Sequence, residues 1–184
     1  MNQSHSVGVI VPAAGIGYRF GNSIPKQYSM IGVESILEKI INLFLKLQVV
    51  QKIYIPIHRN DQWIESQSFI NHSKVFLVEG GDTRSESVFN ALSEVGDSID
   101  VIAIHDAARP WLTEEHFMFL YNELIEDKTI QGIYPVISIT DSMRTKDEDK
   151  FLPVDRNDFV LVQTPQIFYR SQLNLALSQL MDAN

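Results

Sequence analysis

The segment Pro12-Ala13-Ala14-Gly15-Ile16-Gly17-Tyr18-Arg19-Phe20-Gly21, followed closely by Pro25-Lys26-Gln27-Tyr28, has the residue types and spacing to hold a phosphate. Small residues and glycines let backbone N–H groups approach an anion, and positions tolerant of positive φ build the concave nest of donors that phosphate oxygens need. Arg19 and Lys26 place two positive charges on the same loop. An ammonium ~4 Å from a phosphate oxygen contributes ~4 kcal/mol at an effective dielectric of ~20. That contribution grows where negative charge builds in a transition state. A Gly-x-Gly after a strand is also an ordinary turn, so the loop alone does not settle the matter. Two common nucleotide motifs are disfavoured: the third glycine of the dinucleotide fingerprint is replaced by Phe20, and no Gly-Lys-Ser or Gly-Lys-Thr follows.

Further clusters lie downstream. Gly80-Gly81-Asp82-Thr83-Arg84 precedes Ser87-Val88 at the start of an expected helix, and His105-Asp106-Ala107-Ala108-Arg109-Pro110 ends an expected strand. Open α/β sheets place ligands at such strand ends, which makes Asp106 a binding candidate. His105 reads as a packing residue. Arg109 has the reach and charge to grip an anionic substrate, because a guanidinium fork matches a phosphate bidentately, whereas Arg156 after Asp155 reads by itself as a surface pair. Five histidines without metal-ligand spacing and no cysteine leave metal ligands unassigned and exclude both a disulfide framework and a thiolate zinc site.

The elements that must position these residues alternate. Val7 to Val11 is a short apolar run ending at Pro12 and feeding the glycine loop. Ser35 with Glu38 forms a capping box for a helix carrying Ile36, Ile40, Phe44 and Leu47 at helical spacing. Strands are expected at Lys52 to Ile57, Lys74 to Val78 and Asp100 to His105, with helices at Asp61 to Ile70, after Gly80-Gly81-Asp82 (Val88, Leu92 and Val95 on one face), and from Thr113 (Phe117, Leu120 and Leu124). Such alternation, with strands apolar on both faces, predicts a Rossmann-like α/β domain: a mainly parallel twisted sheet flanked by helices. Between Gly132 and Phe168 the rhythm changes to short strands at Gly132 to Ile139, Ser142 to Thr145, Phe151 to Val154 and Val160 to Phe168. These predict an antiparallel β-arm over roughly residues 138–160 that must bury its edges against something, with a second subunit as the expected cover. A last helix, Ser171 to Met181, carries Leu173, Ala176, Leu177 and Leu180.

At 184 residues the chain is read as one domain spanning 1–184. The net charge of -8 argues against nucleic acid and anionic membranes as partners, so an anionic ligand must meet a local positive cluster. The polar start and the lack of a long apolar run predict a cytoplasmic protein.

The motifs, taken in order, resemble the 2-C-methyl-D-erythritol 4-phosphate cytidylyltransferase family: Pro-Ala-Ala-Gly-x-Gly-x-Arg with Pro-Lys-Gln-Tyr, Gly-Gly-Asp-Thr-Arg with Ser-Val, His-Asp-Ala-Ala-Arg-Pro, Asp-Arg, and Thr-Pro-Gln, from Val7 to Phe168. The resemblance implies transfer of a cytidylyl group from CTP to 2-C-methyl-D-erythritol 4-phosphate, with a divalent cation such as Mg²⁺ and a homodimer formed through the arm. It implies that Arg19 and Lys26 stabilise the transition state and that Arg156, from the neighbouring arm, positions the acceptor phosphate. Pro12, Ala13, Ala14, Gly15, Gly17, Gly81, Asp82 and Ser87 would bind CTP, and Asp106, Arg109, Ser142 and Thr164 the acceptor. Ser142 keeps the hydroxyl of a threonine more usual at that position. Family members continue beyond the point matching Asn184, through a Thr-Asp-Glu helix and a strand with a Lys-x-Thr lysine. The alternatives are a ribitol 5-phosphate cytidylyltransferase, whose first loop tends to Ala-Gly-Gly, and a CTP-binding module without turnover.

Overall fold

The computed structural model describes residues 5–15, 24–147 and 149–182. Its elements in chain order are β1 (Val7–Ile10), the two-residue strands β2 (Met30–Ile31) and β3 (Glu34–Ser35), α1 (Ile36–Lys46), β4 (Val50–Ile57), β5 (Val75–Glu79), α2 (Arg84–Ser93), β6 (Val101–Ile104), α3 (Glu114–Glu126), β7 (Gly132–Ile133), β8 (Val136–Ser138), β9 (Met143–Asp147), β10 (Lys150–Val154), β11 (Val160–Val162), β12 (Gln166–Tyr169) and α4 (Arg170–Asp182). The main sheet runs β5-β4-β1-β6-β12-β7. Its first four strands are mutually parallel, and β12 is antiparallel to both its neighbours. The expected mainly parallel α/β sheet is therefore present.

Alternation along each strand sorts the core into two layers. Val7 and Val9 of β1, Ile53 and Ile55 of β4, and Val101 and Ala103 of β6 pack with Leu37, Ile41 and Phe44 of α1 and Phe117 and Leu124 of α3. Ile10, Tyr54, Ile102 and Ile104 face the other way, onto Val88, Ala91 and Leu92 of α2 and Leu173 of α4. Both faces are thus covered, as the unbroken apolar runs of a parallel sheet require. The Ser35–Glu38 capping box forms at α1, and Thr83 with Glu86 makes a second at α2. The chain leaves β1 toward β4 and β5, then returns through α2 to place β6 on the opposite side of β1. That reversal opens a crevice at the carboxyl ends of β1 and β6. Among the described residues no helix is long and apolar enough to cross a membrane.

Four expectations need correction. Residues 61–70 are not an α-helix but a run of tight turns around a 3₁₀ turn at Ile64–Ser66. Asp61 Oδ1 accepts the N–H groups of Trp63 and Ile64, Glu38 Oε1 accepts that of Ser68, and Ser35 Oγ donates to Gln67 Oε1, so side chains take groups a helical ladder would have used. The strand expected over Gly132 to Ile139 breaks at Tyr134–Pro135 into β7, in the main sheet, and β8 outside it. That expected over Val160 to Phe168 likewise divides into β11 and β12 around a cis Thr164–Pro165 bond, where proline has no N–H for a ladder. In α4 the stripe is narrower than expected: Leu173 is buried and Leu177 half-buried, while Ala176 and Leu180 are exposed. The arm itself is two antiparallel pairs, β8 with β11 and β9 with β10.

Candidate active site

The glycine loop leaves β1 fastened to the sheet: Ala13 N–H donates to Pro56 O at 2.8 Å. Pro25 starts a 3₁₀ turn at Lys26–Tyr28 whose side chains split their tasks. Gln27 is buried and its Nε2 donates to Ala13 O (2.7 Å) and Gly15 O (3.0 Å), stapling the turn under the loop. Tyr28 stacks on Trp63 and donates to Asp61 Oδ2 at 2.7 Å. Burial, then the Asp61 carboxylate, push the Tyr28 phenol far up, so it stays a neutral donor. With both neighbours locked, Lys26 is held at the cleft wall.

The opposite wall comes from the β5–α2 connection. Gly80 N–H donates to Ile57 O at 2.8 Å, and a Cβ on Gly80 would lie 2.4 Å from the Ala14 Cβ, so only glycine lets the two loops approach this closely. Gly81 N–H donates to Ser87 Oγ at 3.0 Å, and the Ser87 hydroxyl returns toward Gly81 O at 3.4 Å. Ser87 is buried at the first turn of α2, where backbone N–H groups favour an electronegative guest.

The third wall follows β6. Asp106 accepts from Arg84 Nε at Oδ1 (3.0 Å) and from Arg109 Nε at Oδ2 (2.9 Å). Arg84 Nη2 also donates to Gln166 Oε1 at 3.3 Å, and Arg109 Nη1 to Gln163 Oε1. The three charged side chains are about 30–46% exposed. Pairs that open to water stabilise a fold by only about 0–1 kcal/mol, so their importance is placement.

Behind them His105 is 1% exposed, and burial pushes its pKa down to about 4, against smaller upward pulls from the Arg109 carbonyl and Asp106. It is neutral at physiological pH, and its partners fix the tautomer. Arg109 O, 3.0 Å from Nε2, can only accept, so Nε2 carries the proton and Nδ1 accepts from the Thr164 hydroxyl at 3.1 Å. Thr164 Oγ1 in turn accepts Asp106 N–H at 3.3 Å.

One cleft of about 630 Å³ collects Pro12, Ala13, Ala14, Gly15, Lys26, Gly81, Asp82, Ser87, Asp106 and Arg109 from the expected site residues. Gly17 and Arg19 lie outside the described residues. Ser142 and Arg156 do not line this cleft: both are exposed on the arm, and Arg156 Nη1 donates to Thr140 O there. Thr164 lines a neighbouring apolar cavity with His105, Trp111 and Val136. Gln27, Arg84 and the wired His105 were not among the expected site residues. Each stands inside a quoted motif, but a buried glutamine or histidine gives no periodic signal, and an arginine opening a helix reads as surface charge. Chemically, the cleft offers backbone donors, a lysine and two arginines on two walls, and a small neutral recess at Ser87, which suits a nucleoside triphosphate meeting a second anion.

Comparison with known proteins agrees. A family model described as 2-C-methyl-D-erythritol 4-phosphate cytidylyltransferase matches residues 7–183. The chain is similar to the enzyme of that name from Haemophilus influenzae (strain PittGG), 34% identical over 177 residues, covering 95% of this chain and 76% of the relative. It is 37% identical over 164 residues to that of Wigglesworthia glossinidia brevipalpis, covering 87% and 69%. The crystal structure of the Francisella tularensis 2-C-methyl-D-erythritol 4-phosphate cytidylyltransferase superposes with a TM-score of 0.81 at 27% identity, over 97% of this chain and 79% of that one.

Proposed function

This chain belongs to the 2-C-methyl-D-erythritol 4-phosphate cytidylyltransferase family, and from that membership we propose that its cleft joins CTP to 2-C-methyl-D-erythritol 4-phosphate, releasing pyrophosphate. The observation that carries the reading is the convergence of Lys26, the Ala13–Gly15 backbone and the Gly81–Ser87 turn with Asp106 and Arg109 at the sheet's reversal point. The ribitol phosphate alternative is not favoured, because the family match and the relatives point to the methylerythritol acceptor.

An oxygen of the acceptor phosphate attacks the α-phosphorus of CTP; a new P–O bond forms as the bond to the β-phosphate oxygen breaks, and its electron pair leaves on pyrophosphate. The nucleophile is already an anion, so no general base is needed, and the work of the protein is alignment and charge neutralisation. Lys26, with Arg19, would balance charge on the triphosphate. Ser87, with the Gly81 backbone and Asp82, would read the cytosine in the recess between the two loops. Arg109 would grip the acceptor. The exposed apolar arm suits a homodimer, and Arg156 and Ser142, which do not line their own cleft, would serve the neighbour's. Such a reaction draws on cytoplasmic CTP, and we place the protein there.

The implied Mg²⁺ suits the donors in one way only. Among the described residues no group of three or more His, Cys, Asp or Glu could hold a metal, but Asp106 and Asp82 offer carboxylate oxygens at the cleft wall. That set fits only an ion taking most of its shell from water and phosphates: Asp82 would add one carboxylate contact, while the oxygens of Asp106 already accept from Arg84 and Arg109. When bound, Mg²⁺ neutralises triphosphate oxygens. The test is pyrophosphate release from CTP with methylerythritol phosphate or ribitol phosphate, beside calorimetry with CTP. Release with the first acceptor supports the proposal; CTP binding without release from either acceptor overturns it in favour of a binding module.

A further inference from the structure

The nucleotide wall and the acceptor wall of the cleft are joined by one side chain, Arg84. It is the first residue of α2, directly after the N-cap Thr83 and one helical turn before Ser87. Its Nε donates to Asp106 Oδ1 at the end of β6 and its Nη2 to Gln166 Oε1 at the start of β12. The other oxygen of Asp106 accepts from Arg109 Nε. A continuous path therefore runs from the helix that carries Ser87, through Arg84 and Asp106, to Arg109.

We propose that Arg84 is a positioning residue for the acceptor: it acts through Asp106 to set the orientation of Arg109, so that the helix holding the cytosine also sets where the acceptor phosphate is gripped. This rests on the cytidylyl-transfer reading above. The geometry gives each guanidinium a separate carboxylate oxygen. With Arg84 removed, both oxygens of Asp106 are available to Arg109, and a side-on pair forms that uses two of Arg109's donors and turns its fork from the cleft. Lysine cannot substitute, because Arg84 serves acceptors on two strands through two nitrogens of a rigid plane, whereas an ammonium is a point donor. The nucleotide recess is closed by Gly81 and Ser87 bonding each other, without Arg84, so CTP affinity depends on it weakly.

Steady-state pyrophosphate release separates these contributions. Arg84→Gln and Arg84→Lys should each raise the acceptor KM roughly tenfold while the CTP KM changes less than about threefold. In an Asp106→Asn background, replacing Arg84 should add less than about a further twofold, because the two side chains act in series. Arg84 is exposed at a helix start, so melting temperatures should match the wild type and exclude a folding defect. A raised CTP KM with an unchanged acceptor KM would make Arg84 a nucleotide ligand and overturn the inference, and so would independent multiplication of the Arg84 and Asp106 effects. A wild-type chain that releases no pyrophosphate counts against the functional reading instead. Arg84 is then read by calorimetric titration of methylerythritol phosphate into the CTP-saturated protein: roughly tenfold weaker binding by Arg84→Gln supports the inference, and equal or absent binding by both chains overturns it.

Discussion

The cleft and the arm sit at the same end of the sheet and are built on opposite terms. Cleft loops are small and polar, and each is fastened to the sheet by backbone hydrogen bonds: Ala13 to Pro56, Gly80 to Ile57, His105 to Ile10. The arm is two short antiparallel pairs that expose Val136, Ile137, Phe151, Leu152, Val160, Leu161 and Val162, several of them about half. A cleft whose walls are already tied down presents donors to a small ligand without reorganising. The arm's outward apolar side chains add nothing to its own chain's core, and a contiguous exposed patch of this kind marks a contact surface. The difference teaches that donors stand ready where the backbone is over-determined, and that apolar surface is left uncovered where it is not.

The largest effect expected is within the cleft. On the proposed role of Lys26 in balancing charge on the triphosphate, Lys26→Ala should lower kcat by ~10²-fold or more. The matched change on the arm, Lys146→Ala at an exposed position of β9, should leave turnover within about twofold. Equal effects in a pyrophosphate-release assay would erase the contrast between the two regions.

The next test makes the regions depend on each other. If the arm of one subunit supplies Arg156 to the other's cleft, Lys26→Ala and Arg156→Ala chains are each nearly inactive alone, yet mixing them recovers about a quarter of wild-type activity, because half of the pairs are mixed and each of those keeps one intact site. Leu161→Asp, which puts a charge into the outward apolar face, should abolish that recovery and shift the protein to monomer in sedimentation. Activity of Arg156→Ala close to wild type would show that this arm residue contributes nothing to the chemistry.

Legibility in the sequence follows the same division. The parallel strands were visible because both faces are apolar, and α1 and α3 because their caps and 3.6-residue stripes agree. Lys26, Asp106 and Arg109 stand out because glycine-rich turns and strand ends concentrate ligand chemistry, whereas Pro12 and Ser87 enter through the family resemblance; the fold brings all five to one cleft. The segment 61–70 was misread because its fate depends on Ser35 and Glu38, some thirty residues away in sequence but adjacent in the fold, and local periodicity carries no trace of them. The strand breaks near Pro135 and Pro165 are proline effects that the apolar runs masked. His105 was rightly read as packed, but its partners were invisible: only the fold brings Thr164 beside it, and that contact changes what both residues do.

Thr164 tests the same boundary on a finer scale, because it lies between the cleft and the root of the arm. Its proton goes to His105 and its oxygen takes Asp106 N–H. Thr164→Val keeps the volume but breaks both bonds and should reduce kcat/KM roughly tenfold, whereas Thr164→Ser keeps both and should stay within about threefold. Valine staying near the wild type while serine fails would assign the role to the methyl group and not to the hydroxyl.

The smallest effect is on stability and belongs to the residue behind the cleft. Burial holds the pKa of His105 near 4, below its ordinary 6.5. Between those values the unfolded chain takes up a proton that the folded chain refuses. The contribution is therefore fully present above about pH 6.5 and is lost as the pH falls toward 4. For one such group the loss between pH 7 and pH 5 is about 2 kcal/mol. His105→Gln keeps a donor for Arg109 O but cannot titrate. Urea unfolding at the two pH values should show a smaller acid loss for the variant, by about that amount, even though it is less stable than the wild type at pH 7. The other histidines are common to both chains and cancel in the difference. An unchanged acid loss would mean that the folded chain lets His105 take up a proton, and that burial does not hold its pKa down.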